Sequence, residues 1–224
     1  MNHKKRIIGE ILISMAIPVL CTCARIVKDS MDGYEPNLLS MVLYVLFLSV
    51  VTVPFLFLKD KKRKFNGFAI FLICVLVAVD QLVKIIIYRQ GDFEIELISK
   101  GLSLKPSYNM YHTAMLSFLQ LEINAAIIMC VKILTGLIMI VGVYLVMKKN
   151  KMIEEGVILL VLFCSGLFSS LVDSLVWGYT LDYICFPFYT VIDLKDIYLF
   201  IWGNLFVVYM LRVCGRQKEL KGNV

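Results

Sequence analysis

Apolar residues dominate six long stretches of the chain, and short segments that are richer in charge separate them. A helix needs about 20 mostly apolar residues to cross the hydrocarbon core of a membrane. Stretches of about this length lie at residues 7–26, 37–58, 66–88, 124–147, 155–178 and 196–213. The pattern therefore predicts an all-α integral membrane protein with about six transmembrane helices.

Two of the segments between these stretches are long enough to hold structure of their own. Residues 92–106 alternate apolar and polar side chains on both sides of a turn that contains Gly101, which favours a β-hairpin. Residues 179–195 are predicted to form a loop, and its aromatic residues Phe186, Phe188 and Tyr189 suit a membrane interface. We therefore expect a small β element outside the membrane.

The composition excludes a soluble globular protein. Hydrophobic residues make up 60% of the 224 positions and charged residues 18%, and the mean hydropathy is +0.82. The formal net charge of +6 does not indicate nucleic acid, because the basic residues form short clusters without interleaved aromatic side chains. Membrane lipid is an expected partner, and nucleic acid is not.

The basic clusters predict the orientation of the helices. They lie at residues 4–6, 59–64, 148–151 and 212–221, and an even number of apolar stretches separates any two of them. All four are therefore on one side, which is the cytoplasmic side because basic loops remain there. Both termini are expected to be cytoplasmic, and the segments 92–106 and 179–195 are expected on the outer face.

The cysteine and histidine residues do not indicate a metal site. The seven cysteines fall mostly inside apolar stretches, at intervals that suit neither a zinc site nor a disulfide framework. The two histidines, His3 and His112, are far from any cysteine cluster. No metal ion and no organic cofactor is expected.

Ionisable residues within the apolar stretches are candidates for a functional site, because each costs about 2.5 to 3.5 kcal/mol on insertion scales. Asp80 and Lys84 lie four residues apart in the third stretch and share a helix face. Two interpretations remain open. The pair is either a structural salt bridge, with Lys84 extending outward to the interface, or a direct contact for a substrate.

A polar stripe follows one face of the fifth stretch. Its members recur at steps of three or four residues and are Ser165, Ser169, Ser170, Asp173 and Trp177. Such a stripe is expected to face the other helices, where hydroxyl groups form hydrogen bonds between helices. Asp173 is too costly at membrane depth to be explained by helix association alone.

Two further acids lie where the fifth stretch ends and the sixth begins. Gly178 ends the fifth helix, Asp182 follows it, and Asp196 opens the last helix. Because the two helices are antiparallel neighbours, the carboxylates can meet, share a proton and activate water, as an aspartic protease requires. The alternative is two solvated acids, with Asp196 placed at the positive end of a helix dipole.

These positions resemble the signal peptidase II family, the lipoprotein signal peptidases. The family carries, in order, the motifs D-Q-x-x-K, G-x-x-x-N-x-x-D-R, G-x-x-x-D-F and F-N-x-A-D. The counterparts here are Asp80-Gln81-x-x-Lys84, Gly166-x-x-x-Ser170-x-x-Asp173-Ser174, Gly178-x-x-x-Asp182-Tyr183 and Ile192-Asp193-x-Lys195-Asp196. The resemblance covers about residues 66–213.

The resemblance implies a division of the chain. Residues 1–60 are expected to form two extra N-terminal transmembrane helices. Residues 61–224 are expected to form a four-helix membrane domain, in which the hairpin at about 92–106 looks like the small β-cradle of the family.

The resemblance also implies roles for individual residues. Asp182 and Asp196 correspond to the catalytic acids of the family. Asp80 and Lys84 correspond to its membrane-embedded acid and lysine. A further asparagine of the family corresponds to Asn109, with Tyr111 as the alternative. Substrate binding or support of the site is implied for Asp80, Lys84, Asn109, Ser170, Asp173 and Asp193.

Four positions depart from the motifs of the family. Ser170 stands where the family has Asn, Ser174 where it has Arg, Asp193 where it has Asn, and Lys195 where it has Ala. Without the arginine, the site lacks a fork of donors suited to substrate carbonyls. Asp193 is expected to raise the proton affinity of the two catalytic acids, and Lys195 to offset part of that effect.

The implied function is that of a membrane aspartic endopeptidase in the bacterial cytoplasmic membrane. Its substrates would be lipid-modified prolipoproteins, cut before the diacylglyceryl-cysteine at the outer face. One aspartate would activate water and the other would protonate the leaving amine, with the assignment left open. The alternatives are an inactive relative that binds lipoproteins or another partner, and a small transporter that uses Asp80, Lys84 and Asp173.

Overall fold

The structure, a computed structural model, describes residues 3–31, 35, 37–57, 67–111, 123–150 and 153–222. Its helices are α1 (His3–Met31), α2 (Leu38–Phe57), α3 (Gly67–Gln90), α4 (Ala125–Asn150), α5 (Ile153–Val172) and α6 (Leu194–Gly222). Its strands are β1 (Ile95–Ile98), β2 (Leu102–Asn109), β3 (Thr180–Phe186) and β4 (Thr190–Ile192). The basic cluster at 59–64 and His112 lie outside the described residues.

Within the described residues, six helices are long and apolar enough to cross a membrane. The candidate spans are Ile8–Val27, Leu38–Leu56, Gly67–Gln90, Ala126–Asn150, Gly156–Trp177 and Leu194–Gly215. Each overlaps one of the six apolar stretches of the sequence. The predicted multi-pass helical membrane fold is therefore confirmed.

The helix α3 shows how one span separates lipid-facing from inward-facing residues. Leu82 and Ile86 are 57% and 56% exposed. Apolar side chains exposed on a membrane span are expected to face lipid. Asp80, Lys84 and Ile87 lie on the opposite face and are buried. This face of α3 turns two charged residues toward the other helices, at the end of the helix from which the chain continues into the sheet.

The four strands form one antiparallel sheet in the order β1-β2-β3-β4. The predicted hairpin is confirmed, since β1 pairs with β2 around the turn that contains Gly101. A Cβ atom at Gly101 would lie 2.5 Å from Leu43 Cδ1 of α2, so a larger residue would require this leucine side chain to move. Beside it, the Lys100 carbonyl accepts a hydrogen bond of 3.0 Å from Asn37 Nδ2.

The prediction of a loop at 179–195 was wrong, because this segment holds β3 and β4. The first four side chains of β3, residues 180–183, are all buried, and Leu181 and Tyr183 among them pack with Ile87 of α3. The main chain of β3 pairs along its length with β2, which lies more than 70 residues earlier in the chain. The aromatic residues of the segment did not distinguish a strand from a loop, since they suit a membrane interface in either structure.

The helices α1 and α2 pack against α6 and the sheet. The Tyr44 ring of α2 makes edge contacts with Phe186 and Tyr189, at centroid distances of 5.2 and 5.0 Å. Near the opposite end of α6, Arg212 forms an ion pair of 2.7 Å with Glu10 of α1. One buried apolar cluster includes residues from α2, α4, α5, α6 and the β3–β4 region, such as Met41, Leu48, Val143, Leu159, Phe186 and Ile201.

The division into residues 1–60 and 61–224 leads to a prediction about a truncated chain. Deletion of residues 1–60 should leave the other four spans inserted in the same orientation, because removing two spans preserves the alternation of sides. The melting temperature should fall by roughly 5 °C or more, because Phe186 and Tyr189 lose their contacts with Tyr44. The measurements are the labelling of single cysteines introduced at 187–189 and a melting curve in detergent.

The full chain with Tyr44→Ala is the matched control for the lost ring contacts. This variant should lose part of the stability that the truncated chain loses. Its orientation in the membrane should be that of the wild type. Labelling of positions 187–189 from the opposite side in the truncated chain would contradict the proposed division.

Candidate active site

The ammonium group of Lys84 lies at the centre of three carboxylates. Its Nζ atom is 2.9 Å from Asp80 Oδ2, 2.7 Å from Asp173 Oδ2 and 2.7 Å from Asp193 Oδ2. All four side chains are fully buried. We call Asp80, Lys84, Asp173 and Asp193 the Lys84 cluster. Lys84 therefore does not extend outward to the interface; it joins three separate parts of the chain.

Local backbone geometry brings Asp173 into this cluster. The residues Asp173–Trp177 form a π-helical turn, which the Gly178 N–H group closes by a hydrogen bond of 3.1 Å to the Asp173 carbonyl. Gly178 has a positive φ of 70°, a conformation that glycine adopts without strain. The turn ends the predicted polar stripe, and π-helical turns within α-helices are frequent at functional sites.

Gln81 and Trp177 complete the hydrogen bonds around the cluster. Gln81 Nε2 donates to Asp80 Oδ2 at 3.1 Å and to Asp173 Oδ1 at 3.0 Å. Trp177 Nε1 donates to Gln81 Oε1 at 3.0 Å. The glutamine of the D-Q-x-x-K pattern thus bridges two acids, a role that the spacing of the sequence did not reveal.

The rest of the polar stripe faces the helix bundle. Ser165 and Ser169 are fully buried, and Ser170 is nearly so. On the neighbouring helix α4, Lys132 Nζ donates to Ser174 Oγ at 3.0 Å and to the Ser170 carbonyl at 3.4 Å. Lys132 is a charge inside an apolar stretch, as Asp80 is, so the same rule marks it in the sequence, although it was not among the predicted site residues.

Asp182 and Asp196 meet beside the Lys84 cluster. Asp182 is on β3, and Asp196 is in the first turn of α6. One carboxylate oxygen from each of Asp182, Asp193 and Asp196 lies within 4.8 Å of the other two. Two carboxylates within this distance repel each other when both are ionised, so ionisation of one favours protonation of the other.

Asn109 is the neighbour of Asp182 on the adjacent strand. Its Nδ2 atom donates to Asp182 Oδ2 at 3.3 Å. The Tyr111 N–H group in turn donates to Asn109 Oδ1 at 3.1 Å, which holds the asparagine amide in place. Of the two alternatives for this position, Asn109 is the one for which the structure shows a contact with Asp182.

Two acids of the site, Asp182 and Asp193, lie outside the spans, and their pKa values are shifted in opposite directions. Burial raises the pKa of Asp182 to about 8; Asp196 and Asp193 act in the same direction, while Lys195 acts against them. Burial also disfavours ionisation of Asp193, but the ammonium groups of Lys195 and Lys84 hold its pKa below the ordinary value. Asp182 is therefore suited to hold a proton, and Asp193 to carry a permanent negative charge.

The carboxylate triplets of the site have a spacing that a metal ion could use, but lysine ammonium groups lie against them. The oxygens of Asp80, Asp173 and Asp193 lie within 4.8 Å of one another, and Lys84 contacts all three. In the second triplet, Asp182, Asp193 and Asp196, the ammonium group of Lys195 contacts Asp182 and Asp193. The positive charge in these sites is thus a side chain of the protein.

Comparisons with known proteins identify the family of the chain. Residues 71–212 match the family model of signal peptidase (SPase) II, which is more than half of the chain. The chain belongs to the signal peptidase II family. The resemblance to the family is thereby confirmed, and the matched range contains every position of the Lys84 cluster as well as Asp182 and Asp196.

Two solved structures share the fold of this signal peptidase II family member. Both are bacterial membrane enzymes solved by the in meso method, at 2.3 Å and 1.9 Å resolution. The first has 19% sequence identity and a TM-score of 0.53, and the alignment covers 72% of this chain and 97% of that one. The second has 18% identity and a TM-score of 0.50, with 67% and 96% covered. A comparison with curated proteins finds no significant match.

Three positions that depart from the signal peptidase II motifs contact charged groups of the site. Ser174, which replaces an arginine of the motif, accepts a hydrogen bond from Lys132 of α4. Lys195, which replaces an alanine, contacts Asp193, which replaces an asparagine. The charges at these positions are thus paired within the site.

The burial of the Lys84 cluster predicts a large effect of removing its cation. Lys84→Met should lower the free energy of unfolding by about 3 to 5 kcal/mol, because it leaves three buried carboxylates without their shared partner. The measurement is the melting temperature and the yield of folded protein in detergent.

The exposed ion pair of Lys105 with Glu94, also at 2.9 Å, is the matched control. Lys105→Met should leave the melting temperature unchanged, because solvent screens an exposed pair. Equal effects of the two substitutions would show that the Lys84 cluster is not the buried network described above.

Proposed function

We propose that the chain is a membrane aspartic endopeptidase that removes the signal peptide of lipid-modified prolipoproteins, cutting before the diacylglyceryl-cysteine. Its catalytic pair is Asp182 and Asp196. The observation that carries the proposal is the approach of these two carboxylates to within 4.8 Å at one end of the helix bundle. Membership of the signal peptidase II family supports lipoprotein processing as the reaction class.

The two acids have surroundings that suit different protonation states. Asp182 is buried on β3, and its Oδ1 atom has no hydrogen-bond partner within the described part of the chain. Asp196 is in the first turn of α6, where the helix dipole favours a negative charge, and its Oδ2 atom is 3.4 Å from the Asp193 N–H group. We therefore assign the shared proton to Asp182 and the negative charge to Asp196.

The chemical step follows from this assignment. The Asp196 carboxylate removes a proton from a water molecule, which attacks the scissile carbonyl carbon. The protonated Asp182 donates a hydrogen bond to the carbonyl oxygen and stabilises the tetrahedral intermediate. A proton then passes to the leaving amine nitrogen as the C–N bond breaks, and the pair again holds one proton.

The fold supplies separate supports for the two acids. Asn109 holds Asp182 from β2, and the Lys84 cluster holds the segment that carries Asp196. Within that segment, Asp193 Oδ1 accepts the Asp196 N–H group at 3.1 Å. Such supporting contacts maintain the precise placement that catalysis by a pair of acids needs.

The proposed location is the bacterial cytoplasmic membrane, with both termini in the cytoplasm. Among the described residues, the strands and both catalytic acids lie at the opposite ends of α4 and α6 from Lys148, Lys149 and Arg212, and the positive-inside rule therefore predicts that they are outside. The active site would therefore face the outer leaflet, where the diacylglyceryl group of a prolipoprotein is anchored. Membrane lipid and the signal peptide are the proposed partners.

A second candidate is a catalytically inactive relative that binds lipoproteins or another partner. The observation in its favour is Lys195, whose Nζ atom is 3.7 Å from Asp182 Oδ1 in a position where the family motif has alanine. A cation at this place would oppose protonation of Asp182. Binding of a diacylated prolipoprotein without cleavage would identify this second function.

The proposed catalytic pair predicts the effect of two single substitutions. Asp182→Asn and Asp196→Asn should each abolish cleavage of a diacylated prolipoprotein, because one carboxyl group cannot both activate water and protonate the amine. The measurement is the mobility shift of the substrate on a gel after incubation with purified protein.

Asp92→Asn, which changes an exposed acid just before β1, is the control for a general effect of charge. It should cleave at the wild-type rate. If either catalytic-pair variant kept a wild-type rate while Asp92→Asn did too, the assignment of Asp182 and Asp196 would be wrong.

The raised pKa of Asp182 predicts the pH dependence. Because Asp182 must be protonated and its pKa is about 8, cleavage should fall about tenfold for each pH unit above 8. Asn109→Ala removes a hydrogen bond that favours the ionised form, so it should move this alkaline limb to higher pH. Initial rates between pH 6 and pH 10 test both statements, and a rate that rises above pH 8 would contradict them.

A further inference from the structure

Lys195 lies inside the candidate active site and not on the surface. The residue is only 4% exposed. Its ammonium group forms a short contact with Asp193, and its Nζ atom is 3.3 Å from Asp173 Oδ2 and 3.7 Å from Asp182 Oδ1. Its own N–H group donates to Asp80 Oδ1 at 3.2 Å. The residue thus connects the Lys84 cluster to the catalytic pair.

We propose that Lys195 and Asp193 act together as a charge pair that positions the catalytic acids and determines the pH range in which they share one proton. The proposal rests on the proposed function, because it assumes that Asp182 and Asp196 carry the chemistry. It adds two positioning residues to that site, at the two positions where this chain has charges and the family motif has Asn and Ala.

The geometry links the pair to both catalytic acids. The carboxylate of each of Asp193 and Asp196 contacts the backbone N–H group of the other. Asp193 Oδ1 accepts a hydrogen bond of 3.1 Å from the Asp196 N–H group, and the Asp193 N–H group is 3.4 Å from Asp196 Oδ2. Lys195 faces Asp182 on the other side. The distance of 3.7 Å is too long for a hydrogen bond, so Lys195 acts on Asp182 through its charge and not by transferring a proton.

The charges around the pair explain why both members are needed. Charged groups from four other elements face Lys195. They are Asp80 and Lys84 of α3, Lys132 of α4, Asp173 of the π-helical turn and Asp182 of β3. Asp193 and Asp196, in the same segment as Lys195, face it as well. With one proton shared, four of the five acids are negative. Without Lys195, the ammonium of Lys84 would still contact Asp80, Asp173 and Asp193, but Asp182 would lose the cation nearest to its carboxylate, so both catalytic acids would hold protons more tightly.

Removal of Asp193 should have the opposite effect. It would leave the ammonium groups of Lys84 and Lys195 with one acid fewer between them, so the remaining acids would ionise at lower pH. Removal of both charges at once should cancel the two effects. The pair therefore predicts single substitutions of opposite sign and a double substitution that restores the wild-type behaviour.

The experiment uses the full chain and four proteins: wild type, Lys195→Ala, Asp193→Asn and the double variant, which carries the Asn and Ala of the family motif. Cleavage of a diacylated prolipoprotein is measured between pH 5 and pH 10. Lys195→Ala should move the profile up by about one pH unit or more, and Asp193→Asn should move it down. Each should lower the maximal rate by about tenfold or more, and the double variant should recover most of the rate.

Melting temperatures of the same four proteins, measured at pH 6 and pH 9, separate the possible failures. Normal wild-type cleavage with an unmoved pH profile in Lys195→Ala would overturn the inference and leave the proposed function intact. No cleavage by the wild type at any pH would overturn the proposed function and the catalytic role of the pair. The charge pair itself is then judged by the melting temperatures, and additive losses in the double variant would overturn it as well.

Discussion

The salt bridges of Lys84 are the interaction on which the rest of the site depends. One ammonium group, buried within the helix bundle, contacts Asp80, Asp173 and Asp193, which come from three separate parts of the chain. In a low-dielectric interior none of these charges is tolerable without its partners. The need to keep them together therefore brings α3, the π-helical turn and the start of α6 to one point beneath the sheet.

The sheet provides the second half of the site. Its strand β3 carries Asp182, and β2 carries Asn109, so pairing of the two strands brings the amide to the carboxylate. Behind the sheet, Tyr44 of α2 packs on Phe186, and this contact connects the N-terminal helices to the strand that holds Asp182. The proposed catalytic pair lies where the helix bundle meets the sheet, with one acid supported by each.

The departures from the family motifs follow one physical rule. A charge introduced into the interior must be balanced by another charge close to it. Asp193 and Lys195 satisfy this rule within one short segment, because their side chains contact each other. Ser174, where the family has a cation, instead receives the ammonium of Lys132 from the neighbouring helix. The site therefore contains these substitutions without an isolated charge at the positions named.

The sequence by itself determined the six spans. Burying polar groups in lipid is costly, so each span needs about 20 mostly apolar residues, and this pattern does not depend on which other segment packs against it. It also marked Asp80, Asp173, Asp182 and Asp196, since charges beside apolar stretches stand out. It could not reveal β3, whose partner β2 lies more than 70 residues away, nor the shared ammonium of Lys84, nor the place of Lys132. Only the tertiary structure decided these features, because strand pairing and charge balance depend on which distant segments become neighbours.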